Sequence, residues 1–370
     1  MSRAHGQVAS DRLLQCSGIP LGELGAVPAK RGEVFTLRLR KPYLLFLGDL
    51  QASIDAKTAF GLRDWCREDV IGEWSLPAAT VTLDLPRLSP AEAARRGAGS
   101  LVIGVAPFGG VLPEHWLEEL EAALDAGLDV VSGLHTRLTG ISRLVAAAAR
   151  GGARLRDVRH PTQTFPIASG RKRSGKRVLT VGTDCALGKK YAALAITKAL
   201  QRLGCQATFR ATGQTGLMIS GAGIVIDAVV SDFVAGAAEV LSPDNAPDHW
   251  DVIEGQGALF HPAYAGVTLG LLHGSQPDAL VLCHDPSRTE LDGYPGFPIP
   301  DLGEAIRRYV EAGRLTNPEV RCVGVSVNSS SLDDAQWAAY AEKVSQDLGL
   351  PVVDPMRGGV DAIARELLAC

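Results

Sequence analysis

The chain has no surplus of positive charge: 37 lysines and arginines face 41 aspartates and glutamates, a net charge of −4. A surface that neutralises a phosphate backbone needs such a surplus, so nucleic acid is excluded as a partner. No apolar run approaches the roughly 20 residues that cross a bilayer, so no membrane association is expected. Residues Met1–Arg40 lack the apolar stretch of a secretory signal, which points to the cytoplasm. The seven cysteines are scattered and form no C-x-x-C pair, which argues against a disulfide framework and a structural zinc site. The histidines lack metal-ligand spacing too, so no metal is expected. No G-x-G-x-x-G fingerprint follows the first apolar run, and no solenoid repeat is present.

What is present is ample core material: 46% hydrophobic against 21% charged residues over 370 positions, enough for two domains. From Lys41 short apolar runs alternate with amphipathic stretches, the pattern of a parallel α/β sheet. Strands are expected at Tyr43–Leu47, Thr80–Leu83, Ser100–Ala106, Asp129–Ser132 and Arg154–Val158. Gly48-Asp49, Pro107–Gly110 and Ser132–His135 follow such strands and so belong to one sheet edge. The basic run Arg171–Arg177 suits a solvated linker. A second alternation begins at Val178, with strands expected at Val178–Val181, Ala207–Arg210, Ile224–Ala228, Val252–Glu254, Ala279–Cys283, Arg321–Val327 and Pro351–Val353.

The sharpest signal is Gly182-Thr183-Asp184-Cys185-Ala186-Leu187-Gly188-Lys189, between an apolar strand and a helical stretch. Such a loop turns backbone N–H groups inward, the helix end adds partial positive charge, and the lysine adds a full one. Its guest is a phosphate or diphosphate; the alternative is a glycine turn with no ligand. Lys190 stands where a magnesium-binding Ser or Thr usually follows, which speaks against ATP hydrolysis and leaves room for a phosphate that is bound and not cleaved.

Three further stretches carry polar groups at strand ends. Glu254-Gly255-Gln256-Gly257 offers a carboxylate that takes a proton or holds a metal, or else caps a helix or partners Lys189. His284 and Asp285 are candidates for proton transfer, and Arg288 for gripping a carboxylate. Arg210, Thr212 and Gln214 lie among glycines and suit a small polar ligand.

Together these stretches resemble a two-domain family long labelled a domain of unknown function, and within it the D-glutamate N-acetyltransferases. Tyr43–Asp49, Gly182–Lys189, Arg210–Gly216, Trp250–Gly257, Leu272–Gln276 and Arg321–Asn328 carry the likeness. It implies an α/β protein of two domains: a Rossmann-like parallel sheet over 41–170, then a P-loop NTPase-like parallel sheet over 171–370, with residues 1–40 as an extension. It also implies acetyl transfer from acetyl-CoA to an acidic amino acid. On that reading Gly182–Lys190 hold the coenzyme diphosphate, and Glu254, His284 or Asp285 handle protons. Arg210, Thr212, Gln214, Gly255, Gln256 and Arg288 meet the acceptor, Arg210 and Arg288 at its carboxylates. The loop is also similar to that of dethiobiotin synthetases, so an ATP- and magnesium-dependent ligase or kinase of a small carboxylate is the competing expectation. A homodimer is expected on base rates.

Overall fold

The computed structural model describes residues 34–105, 110–160 and 163–369. In the first half, strands β1 (Tyr43–Gly48), β2 (Val70–Ser75), β3 (Ser100–Ile103), β4 (Asp129–Ser132) and β5 (Leu155–Asp157) form a parallel sheet in the order β2-β1-β3-β4-β5. Every residue of β1, β3 and β4 is buried, as for strands covered on both faces. The first-half helices are α1 (Lys57–Trp65), α2 (Pro90–Arg95), α3 (Leu117–Asp125) and α4 (Ser142–Gly151). A capping box starts α2: the Ser89 hydroxyl accepts from the Glu92 N–H, and the Glu92 carboxylate accepts from the Ser89 N–H. In α4 the buried Leu144, Ala147 and Ala148 recur at helical spacing.

The second sheet contains β6 (Lys176–Gly182), β7 (Ala207–Arg210), β8 (Trp250–Ile253), β9 (Ala279–His284), β10 (Arg321–Val327) and β11 (Val352–Val353). They run parallel in the order β11-β10-β9-β6-β8-β7, with β6 near the middle. Helices α5 (Lys189–Arg202), α6 (Gln214–Ser220), α7 (Val234–Leu241), α8 (Ala265–Ser275), α9 (Leu302–Arg314), α10 (Asp334–Leu348) and α11 (Asp361–Leu368) follow in turn. Alternation along β6 divides the packing. Val178 shares one buried cluster with Ile196 and Leu200 of α5 and Ile363 of α11, while Leu179 and Val181 belong to a second cluster with residues of α7, α8 and α9.

One helix crosses between the halves. Leu217 and Met218 of α6 pack into the first-half core, with Ala211 and Val225. The hydroxyls of Thr58 on α1 and Thr215 on α6 lie 2.8 Å apart and buried, and the Tyr191 hydroxyl donates to Asp64 at 2.6 Å. Phe35–Thr36 pairs antiparallel with Ala222–Gly223, so the start of the described chain is also held by the second half.

Three expectations change. Thr80–Leu83 is not a strand; Val70–Ser75 takes that place beside β1. The buried Glu73 of β2 accepts from the Thr82 hydroxyl and the Leu83 N–H, each at 2.6 Å, and so holds residues 82–83 as a loop. Ile224–Ala228 is not a strand either. Its N–H groups at Ile224 and Ile226 donate to Ala211 and Thr212, which turns the chain across a strand end, and Ile226–Ala228 forms a single helical turn. The basic run is solvated only in part: Arg171, Lys172 and Ser174 are exposed, but Arg173 and Arg177 are buried and donate to the carbonyls of Ser242, Gly274, Ser174 and Pro243. Of the expected strand-end loops, Pro107–Gly109 lies outside the described residues, as does 1–33 of the extension.

Candidate active site

Residues that follow β1, β4, β6, β8, β9 and β10 line one cleft of about 1240 Å³ between the halves. In parallel sheets the carboxyl ends of strands are where ligands sit, and here both sheets aim those ends at the same space.

The phosphate loop forms one wall. Gly188 has φ +102° and caps α5, a conformation that L side chains rarely adopt. Lys189 is buried, and its ammonium donates to the Asp184 carbonyl at 2.7 Å, folded over its own loop. Burial lowers its pKa. Cys185, Ala186, Leu187, Gly188, Lys189 and Lys190 face the cleft. Gly182, Thr183 and Asp184 stand behind them as supports. The Tyr309 hydroxyl donates to the Gly182 carbonyl at 2.8 Å, and Thr183 shares a 3.0 Å hydrogen bond with Nδ1 of His284. The Asp184 carboxylate, fully buried, accepts from the Cys185 N–H, the Asp292 N–H and the Arg288 guanidinium.

Glu254 forms the floor. It is buried, and Oε2 accepts from the N–H groups of Thr212 and Gly213 at 3.0 and 3.1 Å. A Cβ at Gly216 would fall 2.3 Å from Oε2, so only glycine lets α6 approach the carboxylate this closely. Among the described residues no donor reaches Oε1. Burial raises the Glu254 pKa; Lys190 and the two amides pull it back. The result is a half-satisfied carboxylate with one free oxygen on the cleft, suited to taking a proton.

The remaining expected residues divide. Asp285, Arg288, Gln214, Gly255 and Gln256 line the cleft beside Glu254. Thr212 is buried behind it, its hydroxyl donating to the Glu254 carbonyl at 2.6 Å. Two assignments need correction. Arg210 does not face the cleft: it pairs with the buried Asp251 at 2.8 Å. His284 does not line it either. Burial lowers its pKa to about 4, so it stays neutral and braces Thr183. Arg288 lines the cleft, yet its guanidinium is engaged by Asp184 and by the Cys185 carbonyl at 2.8 Å.

The first half contributes side chains that the sequence did not single out, including Lys57, Phe60 and Arg159. Arg159 donates to the Gly133 carbonyl at 2.8 Å and pairs with Asp227 of the second half across the cleft. His135 also lines it, and only its place after β4 gave a signal. His261 is buried between the rings of Tyr264 and Tyr294. One ligand atom each from Asp184, Cys185 and His261 lies within 4.8 Å of the others. The Asp184 oxygens already accept three N–H donors and His261 Nδ1 accepts from the Ala263 N–H, so the donor set for a metal is incomplete.

Fold and site define a two-domain α/β protein with a glycine-bounded loop at a helix start and a buried carboxylate on one cleft. Residues 166–364 match the family model "Domain of unknown function (DUF1611_C) P-loop domain", and residues 72–161 match its Rossmann-like N-terminal counterpart. The chain belongs to the DUF1611 family. It is 47% identical over 331 residues to a D-glutamate N-acetyltransferase of a Pseudoalteromonas species, covering 90% of this chain and all of that one. It is 48% identical to a D-glutamate N-acetyltransferase of Tritonibacter scottomollicae, covering 88% and 99% of the two chains. The crystal structure of a DUF1611 family protein from Anabaena variabilis superposes with a TM-score of 0.80 at 34% identity, covering 89% of this chain and 100% of that chain.

Proposed function

We propose that this protein is an N-acetyltransferase that moves the acetyl group of acetyl-CoA onto the amine of D-glutamate. The observation that carries this reading is the 47–48% identity, over about nine-tenths of the chain, to two proteins bearing that activity in their names. The site supports it. A loop that binds a diphosphate without a magnesium-binding hydroxyl suits a coenzyme whose diphosphate stays intact. Cys185–Lys189 take that diphosphate, and the thioester extends toward Glu254.

Glu254 takes one proton from the acceptor ammonium. The freed amine attacks the thioester carbonyl carbon; the C–N bond forms as the C–S bond breaks, and the second amine proton ends on the coenzyme sulfur. Gln256, beside Glu254 on the cleft, gives one side-chain N–H to the Thr212 hydroxyl and steadies the carbonyl oxygen with the other as charge develops there, while the Gly255 N–H is taken by the Thr180 hydroxyl. No helix among the described residues is long and apolar enough to cross a membrane. The reading sets the reaction in the cytoplasm and in a homodimer, which light scattering in solution checks.

A thiol-release assay with acetyl-CoA against D- and L-amino acids tests the function. Coenzyme release that depends on D-glutamate and not on magnesium is the expected result. ADP release from ATP with magnesium and a small acid, without thiol release, would replace the proposal with a ligase or kinase.

A further inference from the structure

An acidic acceptor brings carboxylates into the cleft, and they need cations. The two arginines that the sequence offers are committed: Arg210 to Asp251 and Arg288 to Asp184. Arg159 is held by Asp227. Among the described residues, the lysines on the cleft with no carboxylate within ion-pairing distance are Lys57, Lys189 and Lys190. Lys189 is folded into the phosphate loop through the Asp184 carbonyl.

Lys190 behaves differently from its neighbour. Its side chain leaves the loop, crosses the seam between the halves and ends 3.3 Å from the Lys57 carbonyl at the start of α1. A Cβ at Gly61 would fall 2.7 Å from its Nζ and 2.8 Å from Thr215 Cγ2, so the ammonium occupies space that glycine leaves open between α1 and α6. The Lys57 side chain is exposed on the same wall. Two adjacent lysines thus serve two directions, one toward the loop and one toward the seam.

We propose that Lys190, with Lys57 beside it, receives a carboxylate of the acceptor and sets the preference for a dicarboxylic amino acid. This rests on the acetyltransfer reading and assigns its acceptor subsite. The environment agrees: burial lowers the Lys190 pKa to about 8, with Glu254 and Asp64 opposing the shift and Lys57 adding to it. An arriving carboxylate gives this half-buried ammonium the close anionic partner that it lacks.

The test compares wild type with Lys190→Met, Lys57→Met and the double variant, using D-glutamate, D-glutamine and acetyl-CoA as varied substrates. Losing a charge-assisted hydrogen bond raises the KM for D-glutamate by about 10- to 100-fold in Lys190→Met. The KM for D-glutamine and for acetyl-CoA changes far less, and kcat is largely kept. Lys57→Met, on an exposed side chain, shows a smaller rise of the same kind and guards against a folding defect at the seam. An unchanged KM for D-glutamate in the double variant overturns the proposal. So does an equal loss for D-glutamine, or a loss confined to acetyl-CoA, which would assign Lys190 to the phosphate loop. If wild type releases no thiol, the function fails on its own. Calorimetric binding of D-glutamate to wild type and Lys190→Met then still decides the subsite.

Discussion

The Arg288 guanidinium lies 2.6 Å from the buried carboxylate of Asp184, joining the loop after β9 to the phosphate loop after β6. Asp184 also accepts from the N–H groups of Cys185 and Asp292, so a single carboxylate sets the shape of the loop. Arg288 is therefore a positioning residue. In Arg288→Met the carboxylate stays buried with its cation gone, at a cost of about 3–5 kcal/mol. The expected outcome is a clear fall in the unfolding midpoint and a raised KM for acetyl-CoA. Adding Asp184→Asn, which removes the stranded charge, restores much of the midpoint. Denaturant unfolding of the three proteins checks this. A midpoint unmoved by Arg288→Met would show that the pair does not hold the loop.

Glu254→Gln separates chemistry from stability. Gln keeps an oxygen for the Thr212 and Gly213 amides but cannot accept the amine proton. The kcat is expected to drop by about 10²- to 10⁴-fold. The stability sign is opposite. The folded-state pKa of Glu254 lies above its ordinary value of 4.5, so its contribution is full below that value and is lost as pH rises through the raised one. Gln carries no such loss, so the variant gains on wild type as pH rises toward neutrality. Thermal unfolding from pH 4 to 8 checks the second half, and near-full turnover in Glu254→Gln would remove the proposed base.

Lys190 supplies a prediction at alkaline pH. Its ammonium, with a pKa of about 8, loses charge in a range where an ordinary lysine keeps it. Its neutral form is the one that the fold favours, so its contribution to stability is full above the ordinary lysine value of 10.5 and is lost as pH falls through about 8. On the proposed subsite, acceptor binding runs the other way and needs the charge. The KM for D-glutamate is expected to rise as pH increases through about 8, and that step is expected to vanish in Lys190→Met. Steady-state kinetics from pH 6.5 to 9.5 decide it; a step that persists in the variant would belong to another group.

The parts legible in the sequence were those written locally. An apolar run followed by a glycine-bounded loop and a lysine marks β6 and its phosphate loop within about a dozen residues, and β1 reads as an unbroken apolar strand. Strand β2 was hidden because Gly72 and Glu73 interrupt its apolar run, and the burial of Glu73 depends on donors from Thr82 and Leu83 in a later loop. Arg210 and Arg288 show the deeper limit. A sequence displays a cation but not its partner, and Asp184 is 104 residues from Arg288. Lys57 reads as any exposed lysine at the start of a helix. Only the packing of α1 on α6 brings it to the cleft.

Cys185 faces the cleft within the phosphate loop, where a thiolate would be placed to carry the acetyl group before the acceptor receives it. The surroundings oppose that route. Burial raises the thiol pKa; Lys189 pulls against the rise and Asp184 adds to it. A thiol shifted upward is protonated at neutral pH and is a poor nucleophile. His261 gives no help as a base, since its Nδ1 accepts from the Ala263 N–H and its Nε2 faces the Asp292 carbonyl at 3.4 Å. Transfer is therefore expected to be direct. Cys185→Ala keeps most of its turnover, initial rates with both substrates varied give intersecting lines, and mass spectrometry after incubation with acetyl-CoA alone finds no acetylated cysteine. Parallel lines together with an acetyl group on Cys185 would replace direct attack with a two-step relay through the thiol.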